Sequence, residues 1–141
     1  MQGFFVTGTD TDVGKTIASA WLMLHLEASY WKPVQSGLEA KDCERIRTIT
    51  ACSAQDIFPS AYELTQPLSP HESAKRDKIT LSLDDFTLPN SSKPVIIEGA
   101  GGLMVPLNQT HFVIDLIEKF TLPAIIAVSY THLRAHETEL H

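Results

Sequence analysis

An α/β fold, with a parallel sheet flanked by helices, is what this chain of 141 residues predicts. Three observations carry the prediction. Short apolar, β-branched runs at residues 3–7, 95–97 and 124–128 read as strands, the first two buried. Stretches of helical period separate them, and that alternation points to a parallel sheet. Six of the seven glycines gather in three places, Gly8 with Gly14, Gly37, and Gly99 with Gly101 and Gly102. All three lie at predicted strand ends or in turns, where backbone approaches a ligand.

The elements follow in order. Residues 3–7 form a strand that Gly8 ends. Residues 16–28 form a helix, with Ile17, Ala20, Trp21 and Leu24 as one apolar stripe expected to face the core. Residues 30–34 are a short strand with Pro33 near its end. Residues 43–50 suggest a helix. Residues 58–73 carry Pro59, Pro67 and Pro70 and are expected to be loop or short irregular segments. Residues 81–86 open a helix with Ser82 as its cap. Residues 95–97 are a second buried strand, ended by Glu98-Gly99. Residues 112–120 suggest a helix and 124–128 a strand. No repeat or linker divides the chain, whose length suits one domain with a single core.

Eleven Lys and Arg against seventeen Asp and Glu leave a net charge of -6. That argues against a nucleic-acid footprint, which needs a basic face. An anionic ligand must then be held by local cations or by a metal. Cys43 and Cys52 are too few for a disulfide framework and read as reduced thiols of a cytosolic protein. Residues 1–6 lack the basic start of a secretory leader. No apolar run approaches the ~20 residues that span a bilayer.

The stretch TGTDTDVGKT, residues 7–16, follows the first strand and opens the first helix. Strand, glycine-bounded turn, Gly-Lys-Thr, helix is the P-loop arrangement. Gly8 and Gly14 let backbone N–H groups converge on phosphate oxygens, and the helix start adds positive potential. Lys15 supplies a full charge to the β- and γ-phosphates, and the Thr16 hydroxyl is placed to ligate magnesium. Asp10 and Asp12 would repel a triphosphate unless a cation lies between or they face a cationic substrate; either could instead cap the helix. In VIIEGAGG, residues 95–102, Glu98 ends an apolar strand where nucleotide-binding sheets put a metal-facing acid. A glutamate merely facing the loop is the alternative. In YWKPVQSG, residues 30–37, Lys32 alone would be an ordinary surface lysine. As the second lysine of a P-loop protein it could stabilise charge on a transferring phosphoryl group or its acceptor.

With FFVTGTDTDVGKT, YWKPVQSG, YELTQPLSPH and IIEGAGGLMVPL in this order, the chain resembles the dethiobiotin synthetase family, ATP-dependent ligases of biotin biosynthesis, over residues 3–128. The resemblance implies the following. A 7,8-diaminononanoate takes up carbon dioxide on one amine, the carbamate is phosphorylated from Mg-ATP, and the second amine closes a cyclic urea. Asp12, Val13, Gly14, Lys15, Thr16 and Ile17 line the ATP phosphates, with Asp42, Glu98, Gly99, Ala100 and Gly101. Thr16, Asp42 and Glu98 hold magnesium. Lys32 and Lys15 are catalytic, and Thr11 and Ser36 contact the diamine. The family is cytoplasmic and homodimeric. It continues well beyond Val128, with an adenine-recognition segment and part of the dimer contact.

Two rivals remain. One is another P-loop enzyme of this branch, a cobyrinate amidase-type ligase or a partitioning ATPase, although the latter usually has a lysine early in the loop. The other is an inactive nucleotide-binding fragment. SYTHLRAHETELH, residues 129–141, bears on the second. His132 and His136 could share a helix face, but residues 129–138 resemble the translation of a sequencing-library adapter. The expectation is a partial P-loop synthetase domain over 1–128, incomplete at its C-terminus, and a non-native tail at 129–141.

Overall fold

The structure, a computed structural model, describes residues 2–9 and 14–128. Residues 129–141, with their histidines, lie outside the described residues, as do Asp10 and Asp12. Five parallel strands form the main sheet: β1 (Gly3–Gly8), β2 (Ser29–Trp31), β4 (Ile57–Phe58), β6 (Val95–Glu98) and β7 (Ala124–Ala127), in the order β4-β2-β6-β1-β7. β3 (Val34–Ser36) and β5 (Tyr62–Leu64) pair in a parallel two-stranded sheet. The helices are α1 (Lys15–Leu26), α2 (Asp42–Thr50), α3 (Pro70–Arg76) and α4 (Val113–Phe120).

Alternation along the strands assigns side chains to two cores. In register, Phe5 and Trp31 flank Ile97. These three pack with Val113, Leu116 and Phe120 of α4 on one face. Val6, Tyr30 and Ile96 pack with Ala20 and Met23 of α1 and Ile46 of α2 on the other. The inner strands β1 and β6 are covered on both faces, which is why they read as continuous apolar runs, whereas the edge strand β7 is left partly exposed.

Four expectations are corrected. The apolar stripe of α1 does not face the core: Ile17, Trp21 and Leu24 are 55%, 58% and 54% exposed, and only Ala20 of the four is buried. The buried face carries Lys15, Thr16, Ser19, Ala20 and Met23. The helix starts from Gly14 with Lys15 and Thr16 turned inward, and at 100° per residue this sends positions 17, 21 and 24 outward. The strand expected at 30–34 is two strands in different sheets, split at Lys32-Pro33, since proline has no N–H for the ladder.

Within 58–73, expected to be irregular, Tyr62–Leu64 pairs with β3, and α3 begins at Pro70. A proline is well suited to a helix's first turn. At 81–86 the structure has a single 3₁₀ turn, Leu83–Asp85, although the Ser82 hydroxyl does accept from the Asp84 N–H at 3.3 Å. The chain leaves helical geometry at Phe86, whose buried ring meets Tyr62 at 5.5 Å.

The contrast between the two kinds of apolar residue is measurable. Phe5→Ala, at a fully buried position, should cost about 3–5 kcal/mol in chemical denaturation. Trp21→Ser, although it removes a larger aromatic, should stay within about 0.5 kcal/mol because the ring is mostly in water. A Trp21 loss as large as that of Phe5 would contradict the rotation of α1.

Candidate functional site

In a parallel sheet the strands end at one edge, and the loops beyond those ends make the site. Here β1, β2 and β6 are neighbours, so Gly14–Thr16 at the start of α1, Lys32 after β2 and Glu98 at the end of β6 meet. Gly14 holds the start of α1 in the left-handed region, at φ 92°, which glycine adopts without strain. The loop after β6 lies against the turn: a Cβ on Gly102 would sit 3.0 Å from the Thr9 carbonyl oxygen.

Glu98, 1% exposed, is the hub. Its Oε2 accepts from the Thr16 hydroxyl at 3.2 Å and from the Lys32 ammonium at 3.1 Å. Its Oε1 accepts from the Tyr30 hydroxyl at 3.1 Å. The Lys32 ammonium also donates to Asp42, the first residue of α2. Asp42 is placed by Gln35, whose side-chain carbonyl accepts from the Asp42 N–H at 3.2 Å while its amide nitrogen donates to the Ser36 and Gly37 carbonyls. Arg45, one turn along α2, approaches Asp42 at 3.8 Å.

These contacts set the charges. Burial pushes Lys32 down, but Glu98 and Asp42 outweigh it and hold the ammonium above the usual lysine range. Burial likewise favours neutral Asp42, yet Lys32 beside it brings that carboxyl below its ordinary value. For Glu98 burial wins over Lys32, and its carboxyl lies above its ordinary value. Burial, then Glu98, raises the Tyr30 phenol well above its own. Two carboxyls flanking one lysine are thus pushed in opposite directions.

Gly14, Lys15, Thr16, Ile17, Lys32, Asp42, Arg45, Glu98 and Gly101 line a cavity of about 350 Å³. A second of about 310 Å³ shares Lys32, Asp42 and Gly101 and adds Gln35, Ser36, Pro67 and Ala100. The Ser36 hydroxyl is buried and has no hydrogen-bond partner among the described residues. Residues singled out in three separate motifs therefore meet in two adjoining cavities. Gly99 lines neither; it lies beneath the loop, where a Cβ would meet the Phe5 ring at 2.9 Å. Thr11, Asp12 and Val13 lie outside the described residues.

Sequence reasoning missed Tyr30, Gln35 and Arg45. For two of them a signal existed: Tyr30 shares a strand face with Lys32, two residues on, and Arg45 a helix face with Asp42, three residues back.

A parallel sheet whose first strand turns through glycine into a helix bearing Lys-Thr, opposite a strand-end carboxylate, defines a nucleotide-binding protein of the P-loop class. The chain belongs to the AAA domain family, whose profile matches residues 2–138. It is 50% identical over 127 residues to an ATP-dependent dethiobiotin synthetase of Paramagnetospirillum magneticum, covering 89% of this chain and 61% of that protein. It is 45% and 48% identical to the enzymes of that name from Rhodopseudomonas palustris and Brucella ovis, over 86% of this chain and 58% of each of theirs. The chain thus spans about three-fifths of the length of the curated relatives it matches.

Removing the ammonium tests the charge cluster. In Lys32→Met, two acids lose their shared cation and the folded-state pKa of buried Glu98 rises further. A carboxyl raised in the folded state contributes stability below its unfolded value and loses it as pH climbs through the folded one. The variant should therefore lie close to wild type at pH 4. It should fall behind progressively above the ordinary value of 4.5, by about 1–3 kcal/mol at pH 7. Urea denaturation across that range reads it; a deficit independent of pH would contradict the cluster.

Proposed function

We propose that this chain carries the phosphate- and diamine-binding part of a dethiobiotin synthetase: an ATP-dependent ligase of biotin biosynthesis that closes a cyclic urea on 7,8-diaminononanoate with carbon dioxide, releasing ADP and phosphate. The observation that carries the reading is the position of Lys32. It stands where the two cavities join, between the Gly14–Thr16 helix start and Ser36. The names of the relatives support it.

In this reading Gly14, Lys15, Thr16 and Ile17, with Asp12 and Val13, cradle the ATP phosphates. Lys15 meets the charge that grows on the β/γ bridge. Ser36 holds the diamine in the second cavity, where its unpartnered hydroxyl has a hydrogen bond to offer, and Thr11 is proposed as a further diamine contact. Lys32 faces both, so its ammonium can stabilise the carbamate oxygen as it attacks the γ-phosphorus and ADP leaves. The second amine then attacks the carbamoyl carbon, the C–O bond to phosphate breaks, and the ring closes.

Magnesium fits the donor set. Among the described residues no group of three or more His, Cys, Asp or Glu could hold a metal. What is present is the Thr16 hydroxyl 3.2 Å from a Glu98 oxygen, with Asp42 joined through Lys32. One hydroxyl and one or two carboxylates, completed by phosphate oxygens and water, is how this hard cation is usually held. Bound there, it would neutralise charge on the β- and γ-phosphates. We further propose a homodimer working in the cytoplasm; no helix among the described residues is long and apolar enough to cross a membrane.

The deciding assay is ADP formation. A synthetase needs both bicarbonate and the diamine; a partitioning ATPase needs neither, and a dead fragment gives no ADP under any combination. In a form that turns over, Lys15→Ala should lower turnover about 10²–10³-fold, and near-normal activity would sink the loop assignment. Lys32→Gln should lower diamine-dependent turnover far more than ATP affinity, whereas equal losses would contradict its place between the cavities. Glu98→Gln should raise the magnesium concentration for half-maximal turnover about tenfold or more; an unchanged titration would argue for a purely structural acid.

A further inference from the structure

Tyr30 presents a feature that packing does not require. Its ring lies on the α1 side of the sheet with Val6, Ala20, Met23, Ile46 and Ile96, and it is fully buried. A phenylalanine would fill the same space. The hydroxyl has its partner in Glu98 Oε1, at 3.1 Å. The other oxygen of the same carboxylate takes the Thr16 and Lys32 hydrogen bonds. The two oxygens therefore have separate neighbours, one the core tyrosine and the other the groups that line the phosphate cavity.

We propose that the Tyr30 hydroxyl is a positioning group for Glu98, holding Oε1 against the core so that the carboxylate offers the cavity a single oxygen, Oε2. The argument is geometric. A glutamate side chain has three rotatable bonds, and its terminal torsion is broad. Lys32 and Thr16 reach only Oε2, from the cavity side; Oε1 is held from the core side by the Tyr30 hydroxyl, which keeps the carboxylate plane fixed when a ligand draws on Oε2. Tyr30 lines neither cavity and acts through Glu98 alone. The proposal rests on the magnesium-nucleotide reading above.

The test is ADP binding by calorimetry, with and without magnesium, on the 141-residue chain and on Tyr30→Phe, Glu98→Gln and the double variant. Hydrogen bonds to charged groups are strong enough for the loss to be read as about tenfold in a dissociation constant. Tyr30→Phe should cut the magnesium-dependent gain in ADP affinity by about that factor and leave metal-free affinity within about twofold. With Glu98→Gln already present, it should add no further loss. Tyr30→Phe with the full magnesium gain, or with equal losses in both media, overturns the positioning role. So does an additive effect in the double variant. If wild type binds ADP and Tyr30→Phe retains its magnesium gain, the tyrosine proposal alone fails; if wild type binds no ADP at all, the nucleotide reading fails and the proposal with it.

Discussion

A lysine ammonium held between two carboxylates, shielded from water, is the interaction on which the rest of the structure depends. Lys32 and Glu98 have side chains 8% and 1% exposed. Taking such charges out of water costs several kcal/mol each, and only close pairing with further hydrogen bonds offsets it. Every partner comes from a different element: Lys32 follows β2, Glu98 ends β6, Asp42 begins α2 and Thr16 lies in the first turn of α1. The pairing of Trp31 with Ile97 brings the residues after each to the same edge of the sheet. A one-residue slip between these strands would turn their side chains to the opposite face and leave charges buried alone. The cluster thus selects the register as much as the apolar core does.

The same residues explain why the chain changes sheets where it does. Lys32 turns into the site and Pro33 interrupts the ladder, so the three residues after it begin a second, smaller sheet. Gln35, nearly buried in that sheet, ties the β3 backbone to the start of α2. That contact carries Asp42 back over Lys32. The short strand β3 is therefore less a part of the core than a strut for one carboxylate.

How much of this could be read from the sequence follows from which forces are local. Strands β1 and β6 were legible because both faces are buried and the run is uniformly apolar. The glycine turn was legible because few residue types permit it. Lys15, Thr16, Lys32 and Glu98 stood out because each ends or begins such a segment, and the structure brings them together. The rotation of α1 was not legible, since its strongest apolar period lies opposite its buried face. Ser19 looks unimportant in a hydropathy pattern and Ala20 is the one member of the expected stripe that is buried, yet both are buried against the sheet, where small side chains let the helix lie close. Likewise β5 and α3 were hidden among prolines that turned out to fit a helix start and the turns around them.

Charge makes the last connection. The chain is acidic as a whole, at -6, and the site it builds is suited to an anion. These agree because the cavity is governed by its own lining: Lys15, Lys32 and Arg45 against Asp42 and Glu98. The acids there are engaged, Glu98 by three hydrogen-bond donors and Asp42 by Lys32 and Arg45. An acid whose field is met by neighbouring donors repels a phosphate far less than an isolated one, because attraction and repulsion over such distances nearly cancel. What acts on the ligand is then chiefly the start of α1, which carries Lys15. Acidity elsewhere on the surface is screened within about 8–10 Å at ordinary salt. A negative protein can hold a more negative ligand in this way, provided its carboxylates reach the site already paired.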